Sequence, residues 1–153
     1  MKKAIVVIVV LLAIAGGAFY WYSTRPPKSA QIREEMGKVL NDRSESDMMK
    51  VFKFRMLKSD LVSAYVHEEK YDLAINMIED EIRSDRQEHK LFNSASSASY
   101  GIEAANFDRL AAIYEMKGDK ELAGKAKAQA EKARQKEMSL AKKEPKQKSI
   151  LDE

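Results

Sequence analysis

The sequence predicts an all-α protein, with a single N-terminal transmembrane helix ahead of a small domain of helical hairpins. Three observations predict it. There is one uncharged run of 19 residues, apolar residues recur at helical spacing through most of the remaining chain, and no useful stretch alternates with period two.

The uncharged run, Ala4 to Tyr22, contains no proline. At about 1.5 Å rise per residue it reaches about 28 Å, close to the hydrocarbon thickness of a bilayer. Met-Lys-Lys precedes it, and Tyr20, Trp21 and Tyr22 close it with rings that favour the headgroup level. Arg25, Pro26 and Pro27 follow, and the residue before a proline is pushed out of helical geometry. Residues 1–25 therefore read as a signal-anchor helix. A cleaved signal peptide is the rival reading, since Met-Lys-Lys is a short basic leader and Gly16-Gly17-Ala18 are small enough for a cleavage site. The apolar run continues past them into the aromatic belt, which favours retention. For orientation, Lys2 and Lys3 favour a cytoplasmic N-terminus, whereas Arg25, Lys28, Arg33 and Lys38 count the other way. Domains of this length translocate largely regardless of charge. The C-terminal domain is expected outside the cytoplasm.

Residues 26–45 read as a linker and a short amphipathic helix, with Ile32, Met36, Val39 and Leu40 on one stripe. Asn41-Asp42-Arg43-Ser44 reads as a turn. Ser46 is positioned to cap a second helix, whose apolar residues Met48, Phe52, Leu57, Leu61, Ala64 and Tyr65 mostly fall three to five apart, ending near Glu68. Tyr71, Ala74, Ile75, Ile78 and Ile82 then give an antiparallel partner helix. Asn93 to Ser99 is small and polar, without a stripe, and reads as a loop in preference to a weak lead-in to the following helix. Phe107, Leu110, Ala111 and Tyr114 form the next stripe, which Gly118-Asp119 ends. Leu122, Ala123, Ala126, Ala130 and Ala133 line its partner. Pro145 stops the last helix, leaving 145–153 as a flexible tail.

The two hairpins match internally. Leu61, Tyr65 and Ala74 have the same offsets, four then nine residues, as Leu110, Tyr114 and Ala123. The stretches LVSAYVHEEKYDLAINMIEDEI and LAAIYEMKGDKELAGKAKAQAE resemble tetratricopeptide repeats, whose pattern places Leu and Tyr on a first helix and Ala on a second. Phe107 takes the aromatic place before Leu110. The resemblance implies a repeat-like domain over 46–144, with repeats at about 54–86 and 103–136. Lys58 stands where the pattern wants an aromatic, and Glu81 where it wants a small residue. The repeats also lie 49 residues apart (61 to 110) rather than the usual period of about 34. Two repeats are fewer than the three or so that usually close a core. The short amphipathic helix, the end of the membrane helix, or another chain, including a second copy, must complete it.

Composition limits the chemistry. There is no cysteine, so disulfides, thiolate nucleophiles and Cys-ligated metals are excluded. The net charge of +3 conceals a separation: residues 67–108 hold 10 acidic and 4 basic side chains, residues 117–148 hold 11 basic and 5 acidic. No nucleic-acid signature accompanies the basic stretch, and mixed Lys/Glu helices usually have solvated faces. His67 and His89 belong to no metal or catalytic motif, and no phosphate loop or nucleophile elbow occurs. No catalytic residue, cofactor or metal is expected. His67 fits a helix C-terminus instead.

The resemblance implies a groove on the first helix of each hairpin, carrying Ser59, Ser63, Val66 and His67, then Asp108, Ala112 and Glu115. The groove lacks the Lys, Asn and Arg set that clamps a peptide carboxylate, so a helical or loop partner fits better. The expectation is a non-enzymatic, membrane-anchored interaction module, a scaffold, assembly factor or accessory subunit of a membrane complex. The alternative is a structural subunit whose transmembrane helix itself packs into the complex, with Gly16-Gly17 as a close-approach point.

Overall fold

Pro26 and Pro27 set where the first described helix begins, because a proline needs no amide partner and its carbonyl is free to accept. The Ala30 amide donates to the Pro27 carbonyl at 2.9 Å. The computed structural model describes residues 25–92 and 95–143, in which five α-helices follow in order. They are α1 (Lys28–Asn41), α2 (Asp47–His67), α3 (Tyr71–Phe92), α4 (Ser97–Lys117) and α5 (Lys120–Ala141). No strand occurs among the described residues. None of the described helices is long and apolar enough to cross a membrane. The expected anchor, Ala4 to Tyr22, and the expected tail, 145–153, lie outside the described residues.

Two compact units divide the chain at Leu57 and Lys58, within α2. In the first, Ile32 is buried, Met36 and Val39 are half-buried, and Leu40 is exposed, so the stripe is one residue narrower than the spacing suggests. The expected turn is present. Asp42 Oδ1 accepts from the Ser44 amide at 2.8 Å and from its hydroxyl at 2.6 Å, and these bonds hold the Asp42 carboxyl below its usual range. Ser46 caps α2 as expected, its Oγ accepting from the Met49 amide at 3.4 Å. Met48 and Phe52, expected to face inward, are exposed.

The second unit holds two antiparallel hairpins. At the end of α2 Leu61, Val62, Ala64 and Tyr65 are buried, and on α3 Ala74, Ile75, Ile78 and Ile82 are buried. Lys58 and Glu81, the two departures from the repeat pattern, compensate each other: their charged groups lie 3.6 Å apart across the hairpin. Helices α4 and α5 pack along Ala123, Ala126, Ala130 and Ala133, all buried, with Leu122 left half out at the edge of that face. Small residues let the two backbones approach, the physical use of an alanine stripe. At Gly101 an added Cβ would come 2.9 Å from Glu137 Oε1, the end of a side chain of α5.

The two hairpin turns have the same geometry. In the first, the Glu69 amide donates to the Val66 carbonyl (3.1 Å) and the Lys70 amide to the Tyr65 carbonyl (2.8 Å). In the second, 49 positions on, the Gly118 amide donates to the Glu115 carbonyl (3.0 Å) and the Asp119 amide to the Tyr114 carbonyl (2.8 Å). Glu69 and Gly118 both take the left-handed conformation, with φ of 56° and 89°. Asp119 then caps α5 by accepting from the Leu122 amide at 3.0 Å.

One expectation is corrected. Ser97, Ala98 and Ser99 are not loop but the first turn of α4. Ser96 Oγ accepts from the Ser99 amide at 3.2 Å, and Ser99 Oγ accepts from the Ser96 amide at 2.8 Å. The serines form a reciprocal cap, so the small polar composition marks a helix start.

Candidate functional site

Helix α4 shows how its faces are shared out. Toward α3, the Tyr114 hydroxyl donates to Glu79 Oε1 at 3.1 Å, and Lys117 pairs with Asp72 at 2.5 Å. Arg86 pairs with Glu103, its Nε 3.0 Å from Oε1, and its guanidinium lies 5.3 Å from the centre of the Phe107 ring. Partial burial pushes the Tyr114 hydroxyl above its usual range, and the negative charge of Glu79 pushes the same way. Toward α5, Asp108 pairs with Arg134, Glu115 with Lys127 at 2.6 Å, and the Lys136 ammonium lies 5.2 Å from the centre of the Tyr100 ring.

A third face of α4 remains. Ile102, Ala105, Arg109, Ala112 and Met116 recur at three and four residues in turn, which puts them on one line along about 21 Å of helix. Ile102 is 56% exposed and Met116 59% exposed, with Ala105 and Ala112 exposed between them and Arg109 half-buried. Small residues flanked by larger apolar ones at this spacing are what another helix packs against.

The residues singled out from the sequence fall as follows. Of the repeat core, Leu61, Tyr65, Ala74, Leu110 and Ala123 are buried, whereas Phe107 and Tyr114 are half-buried against the polar groups of α3. Of the groove set, Ser59, Ser63 and His67 are exposed and Val66 half-buried on α2, with the Ser63 hydroxyl donating to the Ser59 carbonyl at 3.2 Å. Ala112 lies on the open line of α4. Asp108 and Glu115 do not lie on it: both carboxylates are held by α5. Ile102, Ala105, Arg109 and Met116 escaped the sequence reading. Their spacing was visible, but the stronger stripe of Phe107, Leu110, Ala111 and Tyr114 on the same helix masked it.

Beside the α4/α5 pair a cleft of about 320 Å³ is lined by Arg86, Glu103, Lys132, Lys136 and Ser139 among others, and continues past Tyr100 to His89 and Lys90. Its cations outnumber its one acid, and that acid is the partner of Arg86. Asn106, also on α4, is buried with its Nδ2 unbonded. Among the described residues no group of three or more His, Asp or Glu converges on one point. Compared with known proteins, the chain matches no family model, no curated protein and no solved structure.

Proposed function

We propose that the chain is a non-enzymatic, membrane-anchored interaction module built of tetratricopeptide-like hairpins, serving a membrane protein complex as scaffold, assembly factor or accessory subunit. The anchor is the Ala4 to Tyr22 run, and the binding surface is the open line of α4, which takes a helix of the partner. The single observation that carries this reading is the exposed Ile102, Ala105, Ala112 and Met116 at helix-pairing spacing, on a helix whose other faces are already occupied by α3 and α5. Support for the repeat likeness comes from the internal match of Leu61, Tyr65 and Ala74 with Leu110, Tyr114 and Ala123, and from the two equivalent turns.

Affinity purification of the full chain from its native membranes tests the reading. The Ile102→Asp, Met116→Asp double variant should lose the partners that the wild type retains. Retention by that variant, with loss when Ala4 to Tyr22 is replaced by polyleucine, would favour instead a subunit held through its membrane helix.

A further inference from the structure

The first half of α2 carries an apolar face that the helix packing does not use. Met48, Phe52 and Met56 follow one another at four-residue spacing and are 85%, 60% and 55% exposed, with Met49 beside them. At about 100° per residue this stripe lies opposite the line through Lys50, Phe54, Leu57 and Leu61, which runs from half-buried to buried. The stripe ends abruptly. The same face continues as Ser59 and Ser63, both exposed.

Charge identifies what the stripe meets. Between Asp47 and Asp60 there is no acid, while Lys50, Lys53, Arg55 and Lys58 are all cationic, Lys53 being paired with Glu45 and Lys58 with Glu81. Arg55 and Lys53 flank the stripe on opposite sides, where long side chains can bury their stems and leave their heads in the polar layer. We propose that the Met48 to Met56 face of α2 lies in the interfacial layer of a bilayer with anionic headgroups, Phe52 and the methionines at acyl depth, Arg55 at the phosphates and Lys53 beside them in its pair with Glu45. Its nearness to a bilayer rests on the reading of Ala4 to Tyr22 as an anchor, since Met48 follows Tyr22 by only 26 residues. A second copy is the poorer occupant. A stripe about 12 Å long offers far less than the roughly 800 Å² that each partner contributes to a stable interface, and like cations would face each other across it.

Because the chain has no cysteine, spin labels can be placed singly at Ala13→Cys, Met49→Cys and Ser63→Cys in the full chain. The protein is reconstituted in vesicles of phosphatidylcholine with phosphatidylglycerol. Accessibility to oxygen and to a water-soluble nickel chelate is then read by power saturation. The label at 49 should be several-fold less accessible to nickel than that at 63, and open to oxygen. Adding Met48→Ser, Phe52→Ser and Met56→Ser should return it to the level of 63, and vesicles of phosphatidylcholine alone should weaken the protection. Equal nickel access at 49 and 63 overturns the proposal. The label at 13 then shows whether the anchor reading stands without it, being shielded, or falls too, being wet. Protection at 49 with 13 wet upholds the surface and removes the anchor. Shielding of 49 from both reagents, with dipolar broadening, overturns the proposal in favour of paired copies.

Discussion

Tyr114 sits between two hairpins with its ring half-buried and its hydroxyl bonded to a carboxylate, so its substitutions separate packing from polarity. Tyr114→Phe keeps the ring and removes the bond to Glu79, a loss on the scale of about 1 kcal/mol in denaturant unfolding. The folded-state hydroxyl is pushed above its usual range, so ionisation favours the unfolded chain. Stability should be fully present below the ordinary tyrosine range near about pH 10 and fall as pH rises beyond it, and the decline should be shallower in Tyr114→Phe. Leu110, only 3% exposed, is a different case: Leu110→Ala should cost about 2–5 kcal/mol. Lys58→Ala should stay within about 0.5 kcal/mol, because its pairing with Glu81 is a partly exposed ion pair at 3.6 Å. These residues were legible in the sequence to different degrees. Leu61, Leu110, Ala74 and Ala123 announce themselves by offset, and burial follows from the helical period. Tyr114 was read as core for the same reason, but Glu79 and Asp72 make the α3 side of α4 polar, and no one-dimensional stripe reports which helix lies across from it.

At the scale of elements, the two turns pose the same problem with different residues. Gly118 occupies the left-handed region at little cost, whereas Glu69 holds it against its own Cβ. Gly118→Ala should therefore destabilise by about 1 kcal/mol in thermal or denaturant unfolding, while Glu69→Gly should not destabilise at all. The glycine turn was readable beforehand, and the glutamate turn only as a polar interruption, since nothing in Glu68-Glu69-Lys70 signals a positive φ. The alanine face of α5 was readable too. Ala130 is wholly buried, and Ala130→Leu should cost about 1–3 kcal/mol by pushing the helices apart. The start of α4 was missed because serines that favour loops also make helix caps, and only their three-residue separation distinguishes the two uses. Helices α2 and α4 each carry two apolar lines, one packed and one open. Periodicity finds the sum of such lines and cannot say which of them is covered.

The whole molecule combines an uncharged run, a Met- and Phe-rich helix half flanked by cations, an acidic α3 and a basic α5. We propose that the domain lies outside the cytoplasm, since a domain of this length translocates largely regardless of its charge. Protease added to intact spheroplasts should then cut within 117–148 while a cytoplasmic marker survives, and protection until lysis would reverse the orientation. The all-α class, the hairpin pairing and the buried Leu and Ala positions were legible because each is a local spacing. The open line on α4 was not, because it is defined by what fails to cover it. That line carries the central claim, and site-specific photocrosslinking in native membranes tests it most directly. A benzophenone side chain is placed in turn at Ile102, Ala105, Ala112 and Met116, and for comparison at Glu121, Ala128 and Lys132 on the exposed side of α5. The account predicts a discrete partner adduct from the α4 positions and none from the α5 positions. Adducts of equal yield on both helices, or none from α4, would contradict it.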